Sequence, residues 1–342
     1  MADLVHPYDS IRSSSPTMKG DIIYLGNGNK RFYAIDYVKK EMVWYINTTG
    51  HIDTSATLDG DALFFGTGDG VIYAINRGNG EEMWRFEAKA EVLSSPLVVD
   101  DMLYVASADD RLYCLDKKTG KAHWQYGRGG VRHIGSRIMA SPAGGGGRVY
   151  HIFSDGYLLS FDGRTGRVVW ERRMFEPSLP NVVRGRKTPL ITGDSLFIID
   201  REGVVTQIDR ENGELLGRYD QLKAIDFLAR DDTLFLMGKD SIAAVELESG
   251  DIRWQQGLDG VSPLSTFGAG GFIFVLSNRE TKPLGLNLFS EKRGRIEVFH
   301  SSDGRRQIVD EFDSTITANA VFSKTHLIVV ADEGFLVIYS QD

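Results

Sequence analysis

The sequence predicts an all-β protein, an eight-bladed β-propeller of four-stranded antiparallel blades, with seven blades as the alternative count. Three observations carry this prediction. One unit of about 40 residues recurs along the 342-residue chain. Each copy alternates apolar β-branched or aromatic residues with polar ones, as in Leu112-Tyr113-Cys114-Leu115, the period of a strand and not of a helix. Four copies also end on the same full spacing, an acid or amide, then Gly four residues later, then Trp four residues after that, and three more keep part of it.

The spacing is complete in Asn76-Gly80-Trp84, Asp116-Gly120-Trp124, Asp162-Gly166-Trp170 and Glu246-Gly250-Trp254. Asp36 and Trp44 keep the outer marks around Lys40. Asp209 and Gly213 keep the first two, with Gly217 at the Trp place. His300 and Gly304 keep a degraded form, with Ile308 there. The acid or amide starts a turn by accepting backbone N–H bonds, Gly supplies a positive φ, and Trp returns in the next strand, wedged against a neighbouring sheet. Trp44, Trp84, Trp124, Trp170 and Trp254 are thus assigned a structural docking role.

In chain order the units run 15–45, 55–86, 95–126, 141–171, 188–219, 224–256, 262–312 and 317–339. Several open on Ser-Pro or Thr-Pro, where a residue without an N–H fits the start of a strand. The eighth unit stops after three strands, so residues 4–11 are expected to supply its fourth, making 1–342 a single domain without an open edge. Units of this length, repeated to this number, stack as propeller blades.

Composition narrows the function. Apolar residues are 42% and aromatics 11%, enough for a packed core, and the net charge of −8 argues against a general nucleic-acid binder. The single cysteine, Cys114, permits no internal disulfide and stands where earlier units carry Ala34 and Ala74, the place of a small buried residue. No stretch reaches the ~20 apolar residues of a membrane helix. The first residues lack the apolar core of a secretory signal. A periplasmic or envelope location therefore requires a leader ahead of residue 1, and a cytoplasmic one follows otherwise.

The marks A-x-D/N-x-x-T/N-G-K/E-x-x-W, seen in Ala74, Asn76, Asn79, Gly80, Glu81 and Trp84 and again in Asp116, Thr119, Gly120, Lys121 and Trp124, resemble the tryptophan-docking motif of the quinoprotein-like (PQQ-repeat) β-propellers. Asp162, Thr165, Gly166 and Trp170 match with Ser160 and Arg167 substituted. Two branches of that family bear on function. The PQQ-dependent alcohol dehydrogenases hold a quinone with Ca²⁺ and typically a vicinal cysteine pair, which one cysteine cannot form. Length and repeat content resemble the other branch, BamB-like and non-catalytic, which acts in outer-membrane assembly and whose lipoproteins carry an N-terminal cysteine absent here. The resemblance implies no enzyme activity, no cofactor and a protein or peptide partner.

Motifs suggesting chemistry reduce to structure. Gly66 to Gly70 could cradle a phosphate, but it opens a strand where a dinucleotide fingerprint opens a helix, so it reads as a hairpin turn. Gly144 to Gly147 reads as a turn between first and second strands. The seven histidines show no metal-ligand spacing. Asn47-Thr48-Thr49 fits a short glycosylation acceptor.

The departures from the repeat are three long connections, 127–139, 171–187 and 277–295, the last between the second and third strands of unit seven. In a four-stranded blade such links and turns emerge on one face, where loops on a rigid scaffold bind partners. Each carries +3, leaving −17 on the rest of a chain of net −8. The candidate partner-binding residues are Arg128, Arg132, His133, Arg137, Arg172, Arg173, Arg184, Arg186, Lys187, Lys282, Lys292 and Arg293, interleaved with Leu179, Val182, Val183, Leu284, Leu286, Leu288 and Phe289. A positive field of this kind steers an acidic partner. The competing account is solvated loops that happen to be basic. A monomeric scaffold binding a protein or peptide through this face is the leading reading. A PQQ- and Ca²⁺-dependent dehydrogenase and a small-ligand sensor are the alternatives, with nucleic-acid binding behind them.

Overall fold

The structure is a computed structural model that describes residues 14–128, 140–176, 188–258, 260–281, 291–322, 326–331 and 336–340. All regular elements there are strands. Seven four-stranded sheets, each in simple sequential antiparallel order, form blades 1 to 7 of a β-propeller, at 17–47, 57–87, 97–127, 143–173, 190–219, 226–257 and 261–312. A last sheet, 321–340, has three strands. The expectation of eight four-stranded blades is corrected to seven, the alternative count. The segment expected to complete the eighth, 4–11, lies outside the described residues.

By backbone proximity the chain divides into two compact units, Met1–Val183 with Ala320–Asp342, and Arg184–Asn319. Blades 1 to 4 and the last sheet belong to the first unit, and blades 5 to 7 to the second. In each unit the core lies between consecutive blades. Tyr24, Phe32 and Ala34 of blade 1 pack with Leu63, Phe65 and Tyr73 of blade 2. Phe227, Leu234 and Leu236 of blade 6 meet Phe197 and Val205 of blade 5.

The recurrent spacing closes each turn by the same bonds. In blade 3 the Asp116 carboxylate accepts the N–H groups of Lys118 and Thr119 and the Thr119 hydroxyl. The Gly120 N–H donates to the Asp116 carbonyl at 2.8 Å. These donors hold the Asp116 carboxyl below the usual carboxylate range, the Thr119 hydroxyl foremost. Just past each turn every four-stranded blade carries a bulge between its third and fourth strands, at Ala34/Ile35, Ala74/Ile75, Cys114/Leu115, Ser160/Phe161, Gln207/Ile208, Ala244/Val245 and Val298/Phe299. A bulge turns the strand more sharply and re-aims a side chain. Here it presents the Trp to the next blade.

The ring of Trp44 lies on Gly80, that of Trp84 on Gly120, that of Trp124 on Gly166 and that of Trp254 on Gly304. Its indole N–H donates to the carbonyl one residue past the next blade's turn acid or, in blade 7, past His300: Arg77 (3.1 Å), Lys117 (3.0 Å), Gly163 (2.8 Å) and Ser301 (2.9 Å). The Gly is therefore doubly required. Its φ at Gly120 is +70°, and a Cβ there would lie 2.5 Å from the Trp84 ring. Opposite each Trp sits a small residue, Ala34, Ala74, Cys114, Ser160 or Ala244. Cys114 is fully buried, and burial pushes its thiol up to about 12.

A second set of bonds forms where blades 2 and 3 of the first unit start. Thr54 and Ser94 exchange hydrogen bonds with the backbone of Gly66 and Ala106. The Ser95 hydroxyl accepts from the Ser55 N–H at 3.1 Å, and the Ser141 hydroxyl from the Ser95 N–H at 2.8 Å. The Ser-Pro openings thus staple neighbouring blades as well as starting strands.

Candidate functional site

The candidate surface is the edge of each blade where its second–third turn meets the link to the following blade. In the first unit Val92 N–H donates to Thr67 O (3.0 Å), and Met174 N–H to Gly156 O (2.8 Å). In the second, Ala224 N–H donates to Gly203 O and Leu258 N–H to Asp240 O, both at 2.8 Å. Gly66 to Gly70 is one of these turns, as its glycines predict.

Within the first unit the structure brings together Arg128, Arg173 and Tyr157. The Arg128 guanidinium lies 4.4 Å from the centre of the Tyr157 ring and that of Arg173 at 5.8 Å. Arg128 also pairs with Asp155 and, at 2.8 Å, with Glu171. Burial opposes its charge, but the two carboxylates outweigh that and hold the guanidinium more basic than usual. Arg173 pairs with Glu176. Arg172 is half-buried on the same strand.

Within the second unit the described ends of the third enlarged connection, 277–281 and 291–295, are strand, and 282–290 lie outside the described residues. Phe272–Thr281 and Glu291–His300 pair continuously through ten residues a side, from Phe272↔His300 to Thr281↔Glu291. The loop expected over 277–295 is corrected to a lengthened hairpin. Its polar sequence hides the strands, because their support comes from partners distant in the chain. Arg279 and Arg295 reach Glu311 at 3.1 and 2.8 Å, Arg293 reaches Asp313 at 3.1 Å, and Arg295 also pairs with the fully buried Glu297. The two arginines outweigh burial and hold the Glu311 carboxyl below the ordinary glutamate range. Lys292 is exposed.

Arg132, His133, Arg137, Arg184, Arg186, Lys187 and Lys282 lie outside the described residues, as do the interleaved apolar residues from Leu179 to Val183 and from Leu284 to Phe289. Of the described candidates, Arg128, Arg173 and Arg293 have carboxylate partners. Asp155, Glu311 and Asp313 escape a count of charge within the connections because they lie beyond them in sequence. Tyr157 lies outside the expected set as well. Its signal is its place directly after the Asp155-Gly156 turn. Among the described residues no group of three or more His, Cys, Asp or Glu is disposed to hold a metal ion, and no helix is long and apolar enough to cross a membrane.

Similar folds occur in BamB from Moraxella catarrhalis (TM-score 0.76, 18% identity, covering 97% of this chain and 99% of that one) and in the computationally designed Ika8 protein (0.78, 13%, 99% of both). Quinohemoprotein alcohol dehydrogenase from Comamonas testosteroni is also similar (0.68, 12%, covering 94% of this chain and 70% of that one). At these identities the likeness establishes the fold, a β-propeller. No curated protein sequence matches the chain. The family model described as "Outer membrane protein assembly factor BamB" matches residues 7–256, well over half of the chain, and the protein belongs to that family.

Proposed function

We propose that this protein is a non-catalytic propeller scaffold of the cell envelope, working as one monomeric domain and docking a partner protein or peptide on the edge that carries the enlarged connections. Family membership is the observation that carries the reading. The Arg128–Tyr157–Arg173 stack and the lengthened hairpin of blade 7 support it, since rigid strands and paired side chains hold up the loops that leave them. The carboxylates around Arg128, Arg293 and Arg295 limit how much of the positive charge reaches a partner. Recognition is assigned to the basic residues of the connections together with the apolar ones among them, the composition of a docking surface more than of a charged fringe.

The test reverses charge at Arg184 and Arg186 and compares capture of envelope proteins at low salt with that of a Lys19→Glu, Lys118→Glu control on first- to second-strand and third- to fourth-strand turns. Loss of capture by the first variant alone is expected. Equal capture by both overturns the basic edge. A parallel incubation with PQQ and Ca²⁺, read by quinone absorbance and dye-linked alcohol oxidation, is expected to give no signal, and turnover overturns the non-catalytic reading.

A further inference from the structure

Three consecutive seams of the first unit share one lock. Trp44, Trp84 and Trp124 each place a ring on the next blade's turn glycine and donate to the carbonyl of Arg77, Lys117 or Gly163. The last sheet also meets blade 1, through contact between Thr17–Lys19 and Val321–Phe322. The two receiving positions of blade 1 are Tyr37 and Lys40.

Lys40 cannot receive an indole as its counterparts do. It adopts the same left-handed backbone, φ 59°. It carries the Cβ that at Gly80, Gly120 and Gly166 would lie 2.9, 2.5 and 2.6 Å from a docked ring. Tyr37 departs in the opposite sense. At its place in blades 2, 3 and 5, Arg77, Lys117 and Arg210 turn back to carbonyls of their own blade's first turn, Gly60, Asp100 and Gly193. Lys117 also pairs across its seam with Asp59 of blade 2, at 2.7 Å, whereas Tyr37 makes no turn back and reaches across the seam with a buried ring. Its hydroxyl lies 3.2 Å from His326 Nδ1 on the second strand of the last sheet, the rings meet edge to face at 5.2 Å, and the side chain is buried.

We propose that the Tyr37–His326 pair is the lock of this seam, and that the first unit opens here before it opens at any tryptophan-docked seam. Among the described residues, a side-chain hydrogen bond with an edge-on ring contact stands here where the other three seams have an indole that both packs on the turn glycine and donates to a fixed carbonyl, the weaker lock of the two.

Hydrogen exchange on the full chain tests this with Tyr37→Phe, His326→Leu, their double variant and His326→Gln, which keeps a hydrogen-bonding side chain of similar reach. In the unaltered protein, amides of Thr17–Lys19 and His326–Val330 are expected to exchange at least about ten-fold faster than those of Thr57–Asp59 and Leu97–Val99, about 1.4 kcal/mol in opening free energy. Each single variant should accelerate exchange at the seam several-fold and leave the other two strands unchanged. The double variant should be no faster than the faster single, and His326→Gln should fall between His326→Leu and the unaltered protein. Equal protection at all seams, no acceleration in the single variants, or a double variant showing the product of the two single effects would overturn the proposal.

Discussion

Blades 1 to 3 and blade 5 solve one packing problem with different residues. In blades 1 to 3 a small residue stands opposite a large one, Ala34 with Trp44, Ala74 with Trp84 and Cys114 with Trp124. In blade 5 the sizes are exchanged, Gln207 with Gly217, across the same bulge. The missing indole is replaced two residues on by Tyr219, whose hydroxyl lies 2.8 Å from both Gln207 Oε1 and Leu247 O. Leu247 follows the turn acid Glu246, so its carbonyl is the counterpart of those that receive Trp N–H groups elsewhere. Gln221 covers the adjoining glycine and donates to Gly250 O at 2.9 Å. Blade 7 takes an intermediate course, with Val298 opposite Ile308. What persists from blade to blade is the bulge and, in blade 5 as in blades 1 to 3, a donor to one fixed carbonyl. The identity of the large residue is free to change, because core packing tolerates exchanges that keep volume and polar satisfaction.

The largest expected effect separates the two demands on the turn glycine. Gly120→Ala forces a Cβ into the Trp84 ring at a left-handed position. Gly20→Ala meets the same backbone constraint, φ 61°, with no atom within 4 Å of the added Cβ. We expect a loss of about 3 kcal/mol in denaturant unfolding for the first and about 1 kcal/mol for the second. Equal losses would show that backbone conformation, and not ring docking, demands the glycine.

Tyr219→Phe sharpens the comparison from the other blade. It keeps the ring and removes a hydroxyl that has one proton to share between two acceptors, leaving the Leu247 carbonyl without its donor. A loss of about 1–2 kcal/mol is expected. No measurable change would mean that blade 5 docks through shape alone.

The smallest effect is one of pH. Asp116, Asp162 and Glu311 have folded-state carboxyls below their ordinary values, so they add stability above the unfolded range near pH 4, lost as pH falls through the folded values. Asp200, in the second–third turn of blade 5, is raised by burial. Its contribution has the opposite sign, fully present below about pH 4 and lost as pH rises through its folded value. Thermal melts from pH 7 to pH 3 should show falling stability overall. Asp200→Asn should narrow the gap between unaltered protein and variant as pH drops, and a constant gap would remove Asp200 from the account.

Much of this was legible in the chain because its causes are local. An acid or amide, a glycine and a Trp at spacing four specify a turn, a positive φ and a wedge, each using groups within ten residues. The unit boundaries followed and proved accurate to a few residues, including the three strands of the last unit. Tyr219 was not legible, since a tyrosine two places late carries no mark until the Leu247 carbonyl is brought to it. The lengthened hairpin was hidden for the same reason. Ser277 to Thr281 and Glu291 to Arg295 are polar enough to read as loop, and it is Glu297, Glu311 of the next strand and Asp313 just past it that make their arginines compatible with a sheet.

By itself the sequence determined the kind of blade, its repetition and the small residue in the third strand of each Trp-bearing blade, all consequences of short-range sterics and turn hydrogen bonding. Tertiary structure alone decided which charges meet a counter-charge and what stands in where an indole is missing. Those outcomes depend on groups far apart in the chain, whose approach is set by how one blade seats on the next.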